Sequence, residues 1–81
     1  MTEIKFEYSV GSDDSFNDLV ADIGFDDQLV AMLTQEDGFE NLRIIIYPPE
    51  NTDFWNFRFD EFEAVIQKAR KRLEELQRKD S

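Results

Sequence analysis

Carboxylates are the side chains best suited to chemistry in this chain, because the sequence contains no histidine and no cysteine. Two adjacent pairs, Asp13 with Asp14 and Asp26 with Asp27, are the nearest candidates to share a proton or a divalent cation. Neighbouring residues on a strand point to opposite faces, so such pairs converge poorly on one ligand. No stretch has the spacing of a calcium loop or of a phosphate-binding glycine loop. The sequence therefore predicts no catalytic residue, no metal site and no cofactor.

Length and composition predict a single folded domain over residues 1–81. Hydrophobic residues make up 41% of the chain and aromatic residues 14%, which is too apolar for a disordered segment. Without cysteine, neither a disulfide nor a thiolate metal site supports the fold, so the core must suffice. The opening MTEIKFEYSV lacks the features of a secretory signal, and no stretch approaches the ~20 apolar residues of a membrane span. We therefore expect a cytoplasmic protein.

Negative charge is concentrated before residue 61. Residues 1–60 carry 14 acidic and 3 basic side chains, whereas residues 61–81 carry 5 acidic and 6 basic ones. A field of this sign repels nucleic-acid backbones and anionic membranes and attracts cationic proteins. Solubility alone is the simpler explanation of such a charge. We predict a basic protein partner without direct nucleic-acid or membrane contact, and a homodimer stays open.

Two strands are predicted by the pattern of apolar residues alone. Every second residue from Ile4 to Val10 is apolar, which predicts a strand over about residues 3–10. The stretch LRIIIYPP contains three consecutive isoleucines. Because this run is apolar on both faces, it predicts a central strand over about residues 42–47. Gly38, in the polar loop before it, is suited to a positive φ.

The segment 15–33 fits two interpretations. As a helix it would stack aspartates at four-residue steps, at a cost of ~0.2–0.5 kcal/mol for each like-charge pair. As strands over about residues 19–25 and 29–34 it would form a hairpin that turns around residues 26–28. We favour the hairpin, with one helical turn allowed at residues 15–18, and the helix stays the alternative.

Aromatic residues at alternating positions predict a last short strand over about residues 54–59. Its core-facing set would be Trp55, Phe57 and Phe59. Aromatic rings also anchor protein interfaces when they lie at a desolvated centre. Tyr47 and Phe54 are the candidate exposed anchors of this kind.

An amphipathic helix is predicted over about residues 61–78, because apolar residues recur there at helical spacing. Asp60 stands where a helix cap belongs, and Glu63 would complete a capping box three positions later. Basic side chains follow toward the end of the helix, where they complement the helix dipole. The positive charge of the C-terminal segment therefore has a local reason.

These elements predict an α+β fold, in which an antiparallel sheet of four to five strands is packed on one face by the C-terminal helix. The other face of the sheet would stay open. Its apolar centre would consist of Val30 and Met32, with either Ile45 and Tyr47 or Ile44 and Ile46. An apolar centre with an acidic rim is typical of a protein docking surface, although a second small core or a homodimer seam has the same pattern.

The stretch WNFRFDEFEAVIQKARKRLEEL, together with LVADIGFDDQLVAMLTQEDG ahead of LRIIIYPP, resembles the general build of small acidic bacterial immunity proteins. Such proteins accompany polymorphic or contact-dependent growth-inhibition toxins. The resemblance is one of architecture and charge, and it implies a cytoplasmic inhibitor that blocks the substrate site of one cognate toxin. Families of this kind vary at their binding residues, so the resemblance assigns no residue a role.

The leading hypothesis is a non-catalytic inhibitor whose acidic surface neutralises a basic, nuclease-type toxin. One alternative is nucleic-acid mimicry, in which carboxylates occupy the binding surface of a DNA- or RNA-binding protein. Another is a small enzyme that uses carboxylates and a divalent metal. We expect the carboxylates to gather on one side of the sheet, and the candidate partner-binding residues are Glu7, Asp14, Asp18, Asp22, Asp26, Asp27, Glu36, Asp37, Tyr47 and Phe54.

Overall fold

The computed structural model describes the backbone of residues 6–79 and the side chains of residues 6–76. Its elements are β1 (Phe6–Gly11), β2 (Val20–Phe25), β3 (Gln28–Thr34), a 3-10 helix (Phe39–Asn41), β4 (Arg43–Ile46) and α1 (Phe59–Lys79). The strands form one antiparallel sheet in the order β1-β2-β3-β4, and α1 packs on one face of it against β1 and β2. The predicted α+β fold is confirmed.

The hairpin interpretation of the segment 15–33 is correct. β2 and β3 are joined by Asp26 and Asp27 alone, with φ values of 52° and 68°. Two positive φ values are what the tightest hairpin turns require, because the turn must follow the twist of the strands. Turns and bends, rather than a helical turn, occupy the residues before β2. Gly38 has the expected positive φ, at 95°. Residues 3–5 of the strand predicted over residues 3–10 lie outside the described residues.

A β-bulge decides which residues of β3 reach the core. The pairing of β2 with β3 shifts between Ile23 and Gly24, which leaves Val30 as an extra residue on β3. Val30 is fully buried in the core, so the prediction that it points away from the helix is wrong. Met32 lies opposite Asp22 on the open face, as expected. At Gly24 a Cβ atom would come within 3.2 Å of the carbonyl oxygen of Gln28, so the bulge leaves little room for a side chain.

The core lies between the sheet and α1. Its buried members are Ala21, Ile23, Val30, Ala31, Leu33, Val65, Ala69 and Leu73, of which the last three recur every four residues along α1. A cluster of aromatic rings closes one end of this core, formed by Phe6, Phe25, Trp55, Phe57 and Phe62. The indole N–H of Trp55 donates to the carbonyl oxygen of Tyr47 at 2.6 Å. The loop after β4 is therefore fixed to the sheet by an aromatic side chain.

The predicted strand over residues 54–59 is wrong. Residues 55–58 are irregular and α1 already begins at Phe59, two residues before the predicted start. Alternating aromatic residues can bury their rings in an extended segment that pairs with no strand, as Trp55 and Phe57 do. Phe59, the third residue expected in the core, is instead 77% exposed. Asp60 is not the helix cap but lies inside the first turn, where its carboxylate accepts hydrogen bonds from the Arg58 guanidinium.

The prediction that β4 is a central strand is also wrong. Its isoleucine run predicts a central strand, but β4 lies at the edge of the sheet. Ile44, Ile45 and Ile46 are 41%, 36% and 60% exposed. No strand forms over residues 54–59, so residues 6–79 contain no fifth strand that pairs with the free edge of β4.

Candidate functional site

A cavity of about 500 Å³ lies on the open face of the sheet, near the turn between β2 and β3. Three elements contribute a carboxylate to its walls: β1 contributes Glu7, β2 contributes Asp22 and the turn contributes Asp27. Glu7 and Asp22 reach this face because the residues beside them in each strand point to the helix side. Glu7 lies opposite Gly24, which has no side chain and also lines the cavity. The cavity therefore concentrates negative charge at one place.

Polar and apolar residues that the sequence did not indicate complete the walls. They are Tyr8, Ser9, Gln28 and Leu29. Ser9 alternates with Glu7 along β1, so the strand period alone places it on the same face. Gln28 and Leu29 follow the turn directly, and their place beside Glu7 depends on the bulge and the register of three strands. No local pattern identifies them.

Asp22 is the most perturbed carboxylate of the cavity. Burial raises the pKa of its carboxyl above the ordinary value, and the negative charge of Asp13 raises it further. Its Oδ1 atom is buried and has no hydrogen-bond partner within the described part of the chain. A buried acceptor without a donor costs free energy. Asp22 can therefore accept a hydrogen bond from a donor that the described residues do not provide.

The basic side chains that the structure describes do not form ion pairs with the carboxylates of this cavity. Among the described side chains, ion pairs join Arg43 to Asp37 at 3.9 Å, Arg58 to Asp60 at 3.0 Å and to Glu61 at 3.9 Å, and Arg72 to Glu75 at 3.6 Å. None of these pairs involves Glu7, Asp22 or Asp27. The helix with its lysines and arginines lies on the opposite face of the sheet. The carboxylates of the cavity thus remain available to an external cation.

The remaining acidic candidates lie elsewhere. Asp26 lies beside Asp27 in the turn, whereas Asp14, Asp18, Glu36 and Asp37 lie in the loops at the other end of β2 and β3. The carboxylate of Glu36 accepts the backbone N–H groups of Asn17 and Asp18, both at 3.1 Å, so it holds the loop before β2. Asp37 lies near Arg43. The structure therefore divides the predicted acidic surface into two groups.

The two aromatic candidates lie outside the cavity. Tyr47 is half-buried, its N–H donates to the carbonyl oxygen of Val30, and its own carbonyl accepts the Trp55 indole. Phe54 is 69% exposed in the loop that follows β4. A separate apolar groove of about 270 Å³ lies on the helix side of the sheet, lined by Val30, Ile46, Trp55, Phe57, Phe59 and Phe62.

The chemistry of the cavity is that of cation recognition. Carboxylates form their strongest hydrogen bonds with guanidinium and ammonium groups, and a guanidinium can bond two oxygens at once. Among the side chains of residues 6–76, no group of three or more acidic residues is arranged to hold a metal ion. No described helix is long and apolar enough to cross a membrane. The carboxylates of the cavity can accept hydrogen bonds from a cationic group such as a lysine or arginine side chain.

Comparison of the chain with protein-family models, with curated proteins and with solved structures found no match. The class that the fold defines is a small α+β domain with one helix on a four-stranded antiparallel sheet.

Proposed function

We propose that this chain is a non-catalytic, protein-binding inhibitor, and specifically a bacterial immunity protein that neutralises a basic, nuclease-type toxin in the cytoplasm. The observation that carries the proposal is the cavity on the open face, where Glu7, Asp22 and Asp27 lack ion-pair partners within the described chain. A nuclease needs positive charge to hold its phosphate substrate. Carboxylates without ion-pair partners, held on a folded domain, can compete with the nucleic acid for that positive charge.

A lysine or arginine of the partner is the expected occupant of the cavity. It would donate to Asp22, whose buried Oδ1 has no donor among the described residues. A cation beside Asp22 favours the charged form, so binding lowers the raised pKa of this carboxyl and releases a proton where the free carboxyl is still protonated. Removing one partner of such a charge-assisted hydrogen bond in an interface costs about 2–5 kcal/mol.

The first test measures association of this chain with purified basic nuclease domains of bacterial toxins. Stopped-flow association rates are recorded while NaCl is raised from about 50 mM to about 0.5 M, where the Debye length falls several-fold. Because both surfaces are charged, we expect the rate constant to fall by about tenfold or more. A rate constant that does not change with salt would remove the electrostatic basis of the proposal.

A second test separates the cavity from net charge. The cavity variant carries Glu7→Gln, Asp22→Asn and Asp27→Asn, and the control variant carries Glu40→Gln, Asp53→Asn and Glu63→Gln at exposed positions outside the cavity. Both remove three negative charges. We expect the cavity variant to lose affinity by about 100-fold or more and the control to lose less than about tenfold. Equal losses would mean that the total charge, rather than the cavity, binds the partner.

Nucleic-acid mimicry is the second candidate function. The observation that favours it is that Asp22 of the cavity feels the charge of Asp13, in the loop at the other end of β2, so the carboxylates are not confined to the cavity. A row of carboxylates can occupy a surface built for phosphates. Binding of this chain to DNA- or RNA-binding proteins that are not nucleases, displaced there by generic duplex DNA, would favour mimicry over toxin immunity.

A further inference from the structure

β4 has the sequence of an interior strand but lies at the edge of the sheet. Its three isoleucines occupy consecutive positions, so the strand exposes apolar side chains on both faces. Edge strands of monomeric proteins usually carry lysine, proline or a bulge that prevents further pairing, and residues 43–46 contain none of these. We propose that β4 pairs antiparallel with β4 of a second copy of this chain across a two-fold axis.

The hydrogen bonds between β3 and β4 determine which backbone groups remain free. The N–H of Tyr47 donates to the carbonyl oxygen of Val30 at 2.8 Å, so this pair of residues is hydrogen-bonded. Hydrogen-bonded and non-hydrogen-bonded pairs alternate along an antiparallel ladder. Ile45 therefore bonds to β3, whereas Ile44 and Ile46 direct their N–H and C=O groups to the free edge.

One two-fold register uses all of these free groups. It places Ile44 opposite Ile46 of the second copy, and Ile45 opposite its own counterpart at the axis. A shift in one direction would bring in Pro48, which has no N–H to donate. A shift in the other direction would bring in Leu42, where the 3-10 helix ends. The favoured register joins the two four-stranded sheets into one continuous sheet and makes β4 a central strand, as its sequence predicts.

The side chains suit this register on both faces. Ile45 lies opposite Met32 on the open face, so the two Ile45 side chains meet there at the axis. On the helix side, Ile44 of the second copy lies next to Ile46, which lines the apolar groove together with exposed Phe59. A specific dimer buries about 800 Å² on each partner, which is about an eighth of the 6202 Å² surface of this chain. The groove adds apolar surface to the contact between the strands.

Charge sets the conditions under which the two copies associate. Each copy carries a net charge of −10, so two copies repel each other at low salt. β4 contributes no carboxylate to the contact, and its single charged residue is Arg43. Added salt screens the repulsion and leaves the apolar contact. Self-association should therefore increase with salt, whereas binding of a basic partner should decrease, so the two proposals fail independently.

The test is sedimentation equilibrium of the full chain at up to about 1 mM, in about 0.05 M and about 0.5 M NaCl. We expect a monomer–dimer equilibrium whose dimer fraction rises with salt. Ile46→Lys should weaken the dimer by about tenfold or more, because it places a charge in the contact. Ile44→Pro should do the same while leaving the monomer folded by circular dichroism, because the N–H it removes does not bond to β3.

Tyr8→Lys is the matched control, since Tyr8 is 42% exposed on β1, at the other edge of the sheet. It makes the same change of charge as Ile46→Lys and should leave the dimer intact. A chain that stays monomeric at every concentration in about 0.5 M NaCl overturns the proposal. A dimer that Tyr8→Lys weakens as much as Ile46→Lys overturns it too, as does a dimer that both β4 variants leave unchanged.

Discussion

Asp27→Gly in the turn between β2 and β3 should make the protein more stable. Asp27 has a φ of 68°, a left-handed conformation that costs an L-residue roughly 1–2 kcal/mol and costs glycine almost nothing. Glycine loses ~0.5–1 kcal/mol more conformational entropy on folding than a residue with a side chain. The difference leaves a net gain of about 0.5–1 kcal/mol. For a domain of this size, such a gain raises Tm by about 2–8 °C.

Two control variants isolate the backbone contribution. Asp27→Asn removes the charge but keeps a side chain that tolerates positive φ, so it measures relief of charge repulsion alone. Asp14→Gly removes one exposed charge and adds the conformational-entropy cost of folding a glycine, at a position without positive φ. It should therefore not raise Tm. Thermal unfolding followed by far-UV circular dichroism at pH 7 compares the three variants. If Asp27→Gly melts no higher than Asp14→Gly, the assignment of backbone strain to the turn is wrong.

The same substitution connects stability with the proposed function. Asp27 contributes a carboxylate to the cavity, so Asp27→Gly should bind a basic partner more weakly while it unfolds at a higher temperature. A stabilising change that reduces binding is the usual relation between a strained site and its function. If Asp27→Gly is both more stable and fully active in binding, Asp27 does not belong to the binding surface.

Two further predictions concern single side chains. The pKa of Asp22 in the folded state is raised above its ordinary value of 3.8. The folded state therefore loses stability as the pH rises from 3.8 through the raised pKa. Asp22→Asn should raise Tm at pH 7 more than Asp14→Asn does. This advantage should shrink as the pH is lowered toward 3.8, and a pH-independent advantage would contradict the titration of Asp22. Trp55→Phe keeps a ring against Phe57 but removes the donor to the carbonyl of Tyr47, which should cost about 1–3 kcal/mol in urea-induced unfolding. An unchanged midpoint would mean that this hydrogen bond does not contribute to stability.

Much of the fold was predictable because local patterns carry it. The alternation in β1, the turn at Asp26 and Asp27 and the helical spacing along α1 each depend on residues near one another in the chain. The irregular structure of residues 55–58 was not predictable, because alternating aromatic rings have the same pattern in an extended segment as in a strand. The candidate site was predictable in its residue types but only partly in its members.

The sequence by itself determined the class of fold, the acidic surface and the lack of histidine and cysteine chemistry, since these follow from composition and from periods of two and 3.6 residues. Tertiary structure alone decided that Glu7, Asp22 and Asp27 share one cavity, that Val30 enters the core and that β4 lies at an edge. These three outcomes depend on strand register and strand order. Pairing between distant segments sets both, and one extra residue in a strand changes which side chains face the core.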